Sequence, residues 1–303
     1  MIYYKNDWLS WTCDSVKLGN KTTPQSKFEL QFKKTINRPL KSHKEELLEN
    51  TRVLRDKFSE PFDLLFSGGV DGEVILRCHR ELKIPINVFI FKYENNYNLK
   101  DVNHALRICD ELNVKINVID FNLKKFFEND AYSYWTNSYI ATAGLLPHIK
   151  MLEYLDNIPV MGLGAPVWNY ANNKWKFLVR DNVLAWPGTK HLKRNILHNW
   201  HEYSPEVILS HALLPQIQNI INSETTNDTC SFEQYKYFVY KNIWKNIEIR
   251  TKRNGFEGNN LLPRVTDTTL TCIQEFSQTY IEPLKISNII NSITQEELFL
   301  LIG

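Results

Sequence analysis

The sequence lacks any long apolar run. Nothing approaches the roughly 18 residues of a membrane span, and the opening MIYYKNDWLS is too polar for the core of a signal peptide. A soluble, cytoplasmic protein is therefore expected. Cysteine is sparse: Cys13, Cys78, Cys109, Cys230 and Cys272 include no C-x-x-C pair, which argues against a disulfide framework and a zinc cluster and leaves free, mostly buried thiols as the expectation. An excess of either charge is also missing. Lys and Arg total 36 against 34 for Asp and Glu, a formal charge of +2, so no basic field marks nucleic acid as the main partner. Internal repeats and low-complexity tracts are absent. What is there is an ordinary globular composition, 43% hydrophobic and 23% charged over 303 residues. That length suits one large α/β domain with an appendage, or two domains, and either can bury a sizeable core.

Residues 1–41 are rich in aromatics, Thr and Lys, and Phe28, Leu30 and Phe32 alternate as on a half-buried strand, which predicts a small N-terminal β appendage. At Ser42 the text changes. Ser42 and Glu45 fit a capping box, and Leu47, Thr51, Leu54 and Phe58 recur at helical spacing, which predicts a helix over 43–58. From residue 62 a short apolar run, a turn and an amphipathic helix repeat. Strands are expected at 62–66, 86–91, 116–119 and 158–161, with helices at 72–82, 100–112 and 137–155. This pattern predicts an α/β fold with a doubly wound, Rossmann-like parallel sheet, whose ligands bind at the carboxyl ends of the strands. Beyond Gly162 a loop-rich or hairpin segment around Asn172-Asn173 carries Trp168, Trp175 and Trp186. Helical patterns resume at 190–201, 205–222, 231–246 and 268–280, which predicts a C-terminal helical lobe. The expected division is 1–41 for the appendage, 42–187 for the α/β domain and 188–303 for the lobe, with a turn at Pro187-Gly188 as the boundary.

The most informative stretch is FDLLFSGGVDGEVIL, residues 62–76. A hydrophobic strand runs into Ser67-Gly68-Gly69-Val70-Asp71-Gly72 and then a helix. Two glycines permit a tight turn that brings consecutive N–H groups to a phosphate chain, and the helix N-terminus adds donors and a favourable dipole. The Ser67 hydroxyl can donate to the same anion. Asp71 would repel a polyphosphate unless Mg²⁺ bridged carboxylate and phosphate oxygens. The loop thus asks for a metal, with Asp71 as its ligand.

These residues resemble the N-type ATP pyrophosphatases, or PP-loop enzymes, whose fingerprint S-G-G-x-D-[ST] lies between first strand and first helix. Five of six positions match here, and Gly72 stands where the family has Ser or Thr. The resemblance implies the adenine nucleotide alpha hydrolase type of Rossmann-like fold, with ATP and Mg²⁺ as cofactors and cleavage of ATP to AMP and pyrophosphate. It also implies further site residues. Val88 to Phe91, with Ile90 and Phe91, would be the strand whose backbone lies against adenine, or an ordinary core strand. Asn95 and Asn98 before Asp101 resemble a loop of asparagine-synthase-like domains, or form a polar loop and an N-cap. Gly162 and Gly164 sit where those synthases have a phosphate-facing glycine loop, although Ala165 and Pro166 replace the acidic residue that follows there. In EIRTKRNGFEG, residues 248–258, Arg250, Lys252 and Arg253 gather; Lys252 first and Arg250 second are candidates to stabilise the leaving pyrophosphate, and the alternative is a solvated basic helix end.

His198 and His201 share a helical spacing but have no metal-ligand partners, so a partly exposed helix surface is expected there rather than a zinc site. The eight tryptophans read as packing. Residue 2 is Ile and Cys13 is internal, so a built-in glutaminase is not expected. The absence of C-x-x-C pairs fits poorly with the zinc-containing and disulfide-using members of the group. A stand-alone synthetase domain, similar to that of asparagine synthase over residues 60–260, remains. Its partners would be ATP, a small-molecule carboxylate or amide, and an amine donor or separate glutaminase. Two other readings stay open: a catalytically reduced nucleotide-binding or regulatory protein, motivated by Gly72 and Ala165, and an enzyme that adenylates a tRNA or DNA base. The richness in Asn, Ile and Lys fits an AT-rich genome, viral or bacterial, and a virus-encoded chain would act in the host cytoplasm.

Overall fold

A computed structural model of the chain describes residues 2–5, 9–13, 28–32, 36, 38–138, 146–162, 166–171, 174–180, 192–197, 200–222, 232–248 and 290–294. Strands β1 (Ile2–Lys5), β2 (Leu9–Cys13) and β3 (Phe28–Phe32) form an antiparallel sheet in sequence order. Helix α1 (His43–Lys57) opens as the sequence predicts. The Ser42 hydroxyl accepts from the Glu45 N–H at 3.4 Å while the Glu45 carboxylate accepts from the Ser42 N–H at 3.0 Å.

The central sheet is built from β4 (Phe62–Leu65), β5 (Asn87–Tyr93), β6 (Ile116–Phe121) and β7 (Ile158–Met161), all parallel, in the order β6-β5-β4-β7. Helices α2 (Val70–Glu81) and α3 (Leu99–Glu111) make the first two crossovers, and α4 (Leu123–Asn129), α5 (Ala131–Ser138) and α6 (Leu146–Leu152) lie between β6 and β7. The chain winds outward from β4 and then returns to its other side. Strand side chains alternate between two cores, as a period of two requires. Leu64, Val88, Ile90 and Val160 join the core built with α1, α2 and α3, whereas Phe91, Phe121 and Met161 join the core built with α4 and α6.

One polar group is buried at the amino ends of these strands. Asp63 accepts from Asn87 Nδ2 at 2.7 Å, from the Asn157 N–H at 2.8 Å and from Asn157 Nδ2 at 2.9 Å, tying the starts of β5 and β7 to β4. The opposite, carboxyl ends are left to the loops.

Beyond β7 come a hairpin, β8 (Val167–Ala171) and β9 (Lys174–Arg180), and then α7 (Pro205–Ala212), α8 (Pro215–Asn222) and α9 (Phe232–Ile243). Trp200, Val207, Ile217, Tyr237, Tyr240 and Ile247 from this half bury into the same core as α1–α3. Four expectations need correction. The helical stretch expected over 137–155 is described as the end of α5 and as α6, which stops at Leu152, with 139–145 outside the described residues. The one expected over 205–222 breaks at Leu213-Leu214, because Pro215 has no N–H to continue the ladder and instead opens α8. The helix expected over 190–201 does not run through: residues 190–191 and 198–199 lie outside the described residues, Leu192 is helical, Leu197 bridges Val160 in parallel, and a 3₁₀ turn spans Trp200–Glu202. In the region expected to be helical, β10 (Ile290–Thr294) pairs antiparallel with β9. The expected helix at 268–280 and the boundary at Pro187-Gly188 lie outside the described residues. Cys78 and Cys109 are free and buried, and no described helix is long and apolar enough to cross a membrane.

An ion cluster clamps α2 to α3. Arg77 Nη2 lies 2.7 Å from Glu73 Oε1 and 3.0 Å from Glu111 Oε1, with the Arg77 side chain 6% exposed. Removing the cation leaves carboxylates in a desolvated setting. Arg77→Met is accordingly expected to destabilise the fold by about 3 kcal/mol, read as a lower urea midpoint. A loss below about 0.5 kcal/mol, the range of ordinary surface substitutions, would show that the cluster is solvated.

Candidate functional site

The loop between β4 and α2 sits at the carboxyl end of the sheet, beside β7, where the strand order reverses. Gly68 has φ +74°, and a Cβ there would lie 2.8 Å from the Asp101 carbonyl oxygen and 3.1 Å from the Ala105 nitrogen of α3. Both conformation and space demand glycine. Gly69 is the N-cap of α2, with no side chain bonding the helix amides, and the first intrahelical bond runs from the Glu73 N–H to the Gly69 carbonyl at 3.0 Å. The N–H groups of Val70, Asp71 and Gly72 thus precede the helix ladder and carry its positive dipole end. Ser67 is exposed and Gly69 half-buried, so this is where the loop meets solvent.

Gly72 has a steric reason to differ from Ser or Thr. A Cβ at this position would meet Phe66 Cδ2 at 2.7 Å, and one at Gly162 would meet the Gly72 nitrogen at 2.7 Å and its Cα at 2.8 Å. The end of β7, the ring of Phe66 and the first turn of α2 are in backbone-close contact, and each glycine serves that approach.

Asp71 is held at two atoms by the C-terminal half of the chain. Its carboxylate Oδ2 accepts from Lys236 Nζ of α9 at 2.8 Å, with side chains 12% and 13% exposed. Its backbone carbonyl accepts from His201 Nε2 at 3.0 Å, and His201 Nδ1 lies 3.3 Å from the Tyr240 hydroxyl. A carbonyl cannot donate, so Nε2 carries the proton and Nδ1 accepts from Tyr240. Burial lowers the His201 pKa, against the opposing pull of Asp71, and raises that of the Tyr240 hydroxyl, so both stay neutral in the roles their partners require. Lys236 and Tyr240 are one helical turn apart on α9. The circuit closes from the Asp71 carbonyl through His201, Tyr240 and one turn of α9 to Lys236 and back to the Asp71 carboxylate.

The structure places the other candidates as follows. Ile90 and Phe91 are buried in the two opposite cores, and the Phe91 carbonyl accepts from Asn98 Nδ2 at 2.7 Å while Asn98 Oδ1 accepts from the Tyr93 N–H at 2.9 Å. Asn98 thus occupies the backbone groups of β5 that outrun β4, and it makes no side-chain bond to the start of α3. Gly162 lies against Gly72, whereas Gly164, Ala165, Arg250, Lys252 and Arg253 lie outside the described residues. His201, expected on a partly exposed surface, is fully buried because its ring spans Asp71 and Tyr240. His198 is outside the described residues. Sequence reasoning missed Lys236 and Tyr240, and it gave His201 and Asn98 other roles. One signal was available: Lys236 interrupts the apolar and aromatic face of YKYFVY.

No group of three or more His, Cys, Asp or Glu able to hold a metal occurs among the described residues. Asp71 alone cannot retain an ion. The donor set does suit a divalent cation that brings phosphate oxygens and water with it, the usual manner of Mg²⁺.

Two tests follow from this geometry. Gly72→Ser is expected to cost about 1–3 kcal/mol through the clash with Phe66, and Phe66→Leu added to it should recover part of the loss; strictly additive losses in urea unfolding would show that the ring is not the obstacle. The second concerns pH. His43, His79, His201 and His211 are held below the ordinary 6.5 chiefly by burial, His79 at about 4 and His211 at about 3. The unfolded chain therefore binds protons that the fold does not, so stability is full above about 6.5 and falls as the pH drops toward the folded values, by up to about 1.4 kcal/mol per pH unit for each histidine. Equal urea midpoints at about pH 7 and pH 5 would contradict neutral burial.

No family model matches the chain, and no curated protein matches it significantly. Among solved structures it is similar to the NH3-dependent NAD synthetase from Campylobacter jejuni subsp. jejuni NCTC 11168, with 14% identity over 82% of this chain and 98% of that one and a TM-score of 0.33. It is also similar to NMN synthetase from Francisella tularensis, with 12% identity over 82% of this chain and 98% of that one and a TM-score of 0.32. Both superpositions are loose, and the chain's own residues carry the functional reading.

Proposed function

We propose that this protein is an ATP-dependent ligase that forms AMP and pyrophosphate, adenylating a carboxylate or amide oxygen for attack by an amine, as its resemblance to asparagine-synthase-like enzymes implies. The observation that supports this reading is the Ser67-Gly68-Gly69 turn, set between a parallel strand and a helix at the switch point of the sheet, with the Asp71–Lys236 pair at its mouth. The Ser67 hydroxyl and the amides of Val70, Asp71 and Gly72 receive phosphate oxygens. A substrate oxygen attacks the α-phosphorus, the bond from that phosphorus to the bridging oxygen breaks, and pyrophosphate leaves; an amine then attacks the activated carbon and AMP departs with the oxygen. Mg²⁺, when bound, neutralises charge on the phosphates, and Asp71 is the residue placed to hold it. Lys236 takes the part that Lys252 and Arg250 were expected to play: a cation from the C-terminal half that reaches the loop. In this reading residues 42–187 carry the nucleotide and 188–303 supply the cation.

A second reading, a nucleotide-binding protein with reduced catalysis, is favoured by one observation: Gly72 has no room for the hydroxyl that the fingerprint supplies there. One experiment separates the two. Release of AMP and pyrophosphate from ATP with Mg²⁺, screened over pools of amino acids and ammonium, is expected in at least one pool, and Asp71→Asn should lower it at least about 100-fold with the fold retained by circular dichroism. Turnover that survives Asp71→Asn removes the role given to Asp71. ATP binding without release in any pool favours the second reading, and no binding refutes both.

A further inference from the structure

Resting on the nucleotide reading, we infer that the Asp71–Lys236 pair makes the loop selective for metal-complexed polyphosphate over the bare polyanion, because Lys236 and a divalent cation exchange places on the Asp71 carboxylate. In the nucleotide-free protein the Lys236 ammonium, 2.8 Å from Asp71 Oδ2, is the tethered counter-ion of a carboxylate largely removed from water. A bare polyphosphate draws Lys236 toward itself and strips Asp71 of its partner beside its own negative charge. A polyphosphate that carries its own divalent cation removes this conflict: the metal takes the carboxylate, and the released ammonium turns to phosphate oxygens that lie at the adjacent N-terminus of α2.

The exchange is confined to a side chain because the backbone on each side is pinned. His201 ties the Asp71 carbonyl to Tyr240 on the same face of α9 as Lys236, and the Gly72–Gly162 contact fixes the first turn of α2. The flexible four-carbon stem of lysine gives the ammonium its range, and its three rotatable donors tolerate either partner. Among the described residues, Lys236 is the cation on the carboxylate, and His201 and Tyr240 beside it are both neutral.

The test is isothermal titration of ATP with Mg²⁺ or with EDTA into the full-length wild type and the K236M, K236R and D71N variants. In wild type the affinity with Mg²⁺ is expected to exceed that in EDTA at least about tenfold. D71N, which frees Lys236 for the bare polyanion, should bind equally in both, within about twofold. K236M should lose about tenfold with Mg²⁺ and more in EDTA, and K236R should keep most of the wild-type ratio. If K236M does not fold, the double variant D71N/K236M, which leaves no lone buried charge, is expected to bind more weakly than D71N under both conditions. Wild-type binding with K236M unchanged, or D71N that retains the full metal dependence, overturns the exchange alone. A wild type that binds no ATP with Mg²⁺ overturns the nucleotide reading beneath it.

Discussion

Asp71 is held at both its carbonyl and its carboxylate by side chains from the C-terminal half of the chain, and the geometry of the site depends on that double hold. A helix N-terminus in a doubly wound sheet needs no such attachment for stability; the sheet and its two cores already place it. A largely buried ion pair is also a poor way to gain stability, since desolvation offsets most of the Coulombic attraction. What the arrangement does achieve is registration. It sets α9 against the first turn of α2 so that one cation from the C-terminal half stands at the loop mouth. The neutrality of His201 belongs to the same design: a protonated ring would lose its acceptor for Tyr240 and would add a second buried cation near Lys236.

A second constraint acts below the loop. Gly68 touches the backbone of α3, while Gly72 touches both Gly162 and Phe66, so α2 is drawn closer to both neighbours than any side chain would allow. Gly72, where the fingerprint that this loop resembles has Ser or Thr, is the glycine packed against Phe66. The hydroxyl expected there and the Phe66 ring compete for one volume, and in this chain the ring has it. The amide of Gly72 is kept, so the helix end retains its donors.

The central sheet was legible because its information is local. Apolar runs of four to seven residues, a period of two that feeds two cores, the Ser42/Glu45 capping box and the glycine turn after β4 all lie within short windows. The helix break before Pro215 was missed although the absent N–H is written in the residue, because the apolar pattern continues on both sides. Contacts across long separations were not legible. Lys236 reaches Asp71 across 165 positions and His201 across 130, and nothing in YKYFVY or NWHEY names a partner. A visible cluster at 250–253 drew the expected cation away from a single lysine on an otherwise buried face. Likewise β10 has no meaning as text until β9 lies beside it. Asn98 resembled an N-cap by position, yet its amide serves the outrunning end of β5, a choice that depends on β4 stopping four residues short of Asn87–Tyr93's register end.

The filled directions around the loop determine the open one. Toward β5 the way is closed: Phe66 donates to the Phe89 carbonyl at 2.9 Å, Asn98 covers the next backbone groups, and α3 lies against Gly68. Beneath the loop, Gly162 and Phe66 are packed on Gly72. Among the described residues, what remains open is the exposed Ser67 and the half-buried Gly69, with the dipole end of α2 behind them and the Asp71–Lys236 pair beside them. A ligand that approaches there meets backbone donors first and a neutral ion pair second, so a bare cation finds a carboxylate already paired with Lys236 and a bare anion finds a carboxylate it must expose. The arrangement suits a ligand that carries both signs of charge, and a metal-bound polyphosphate does.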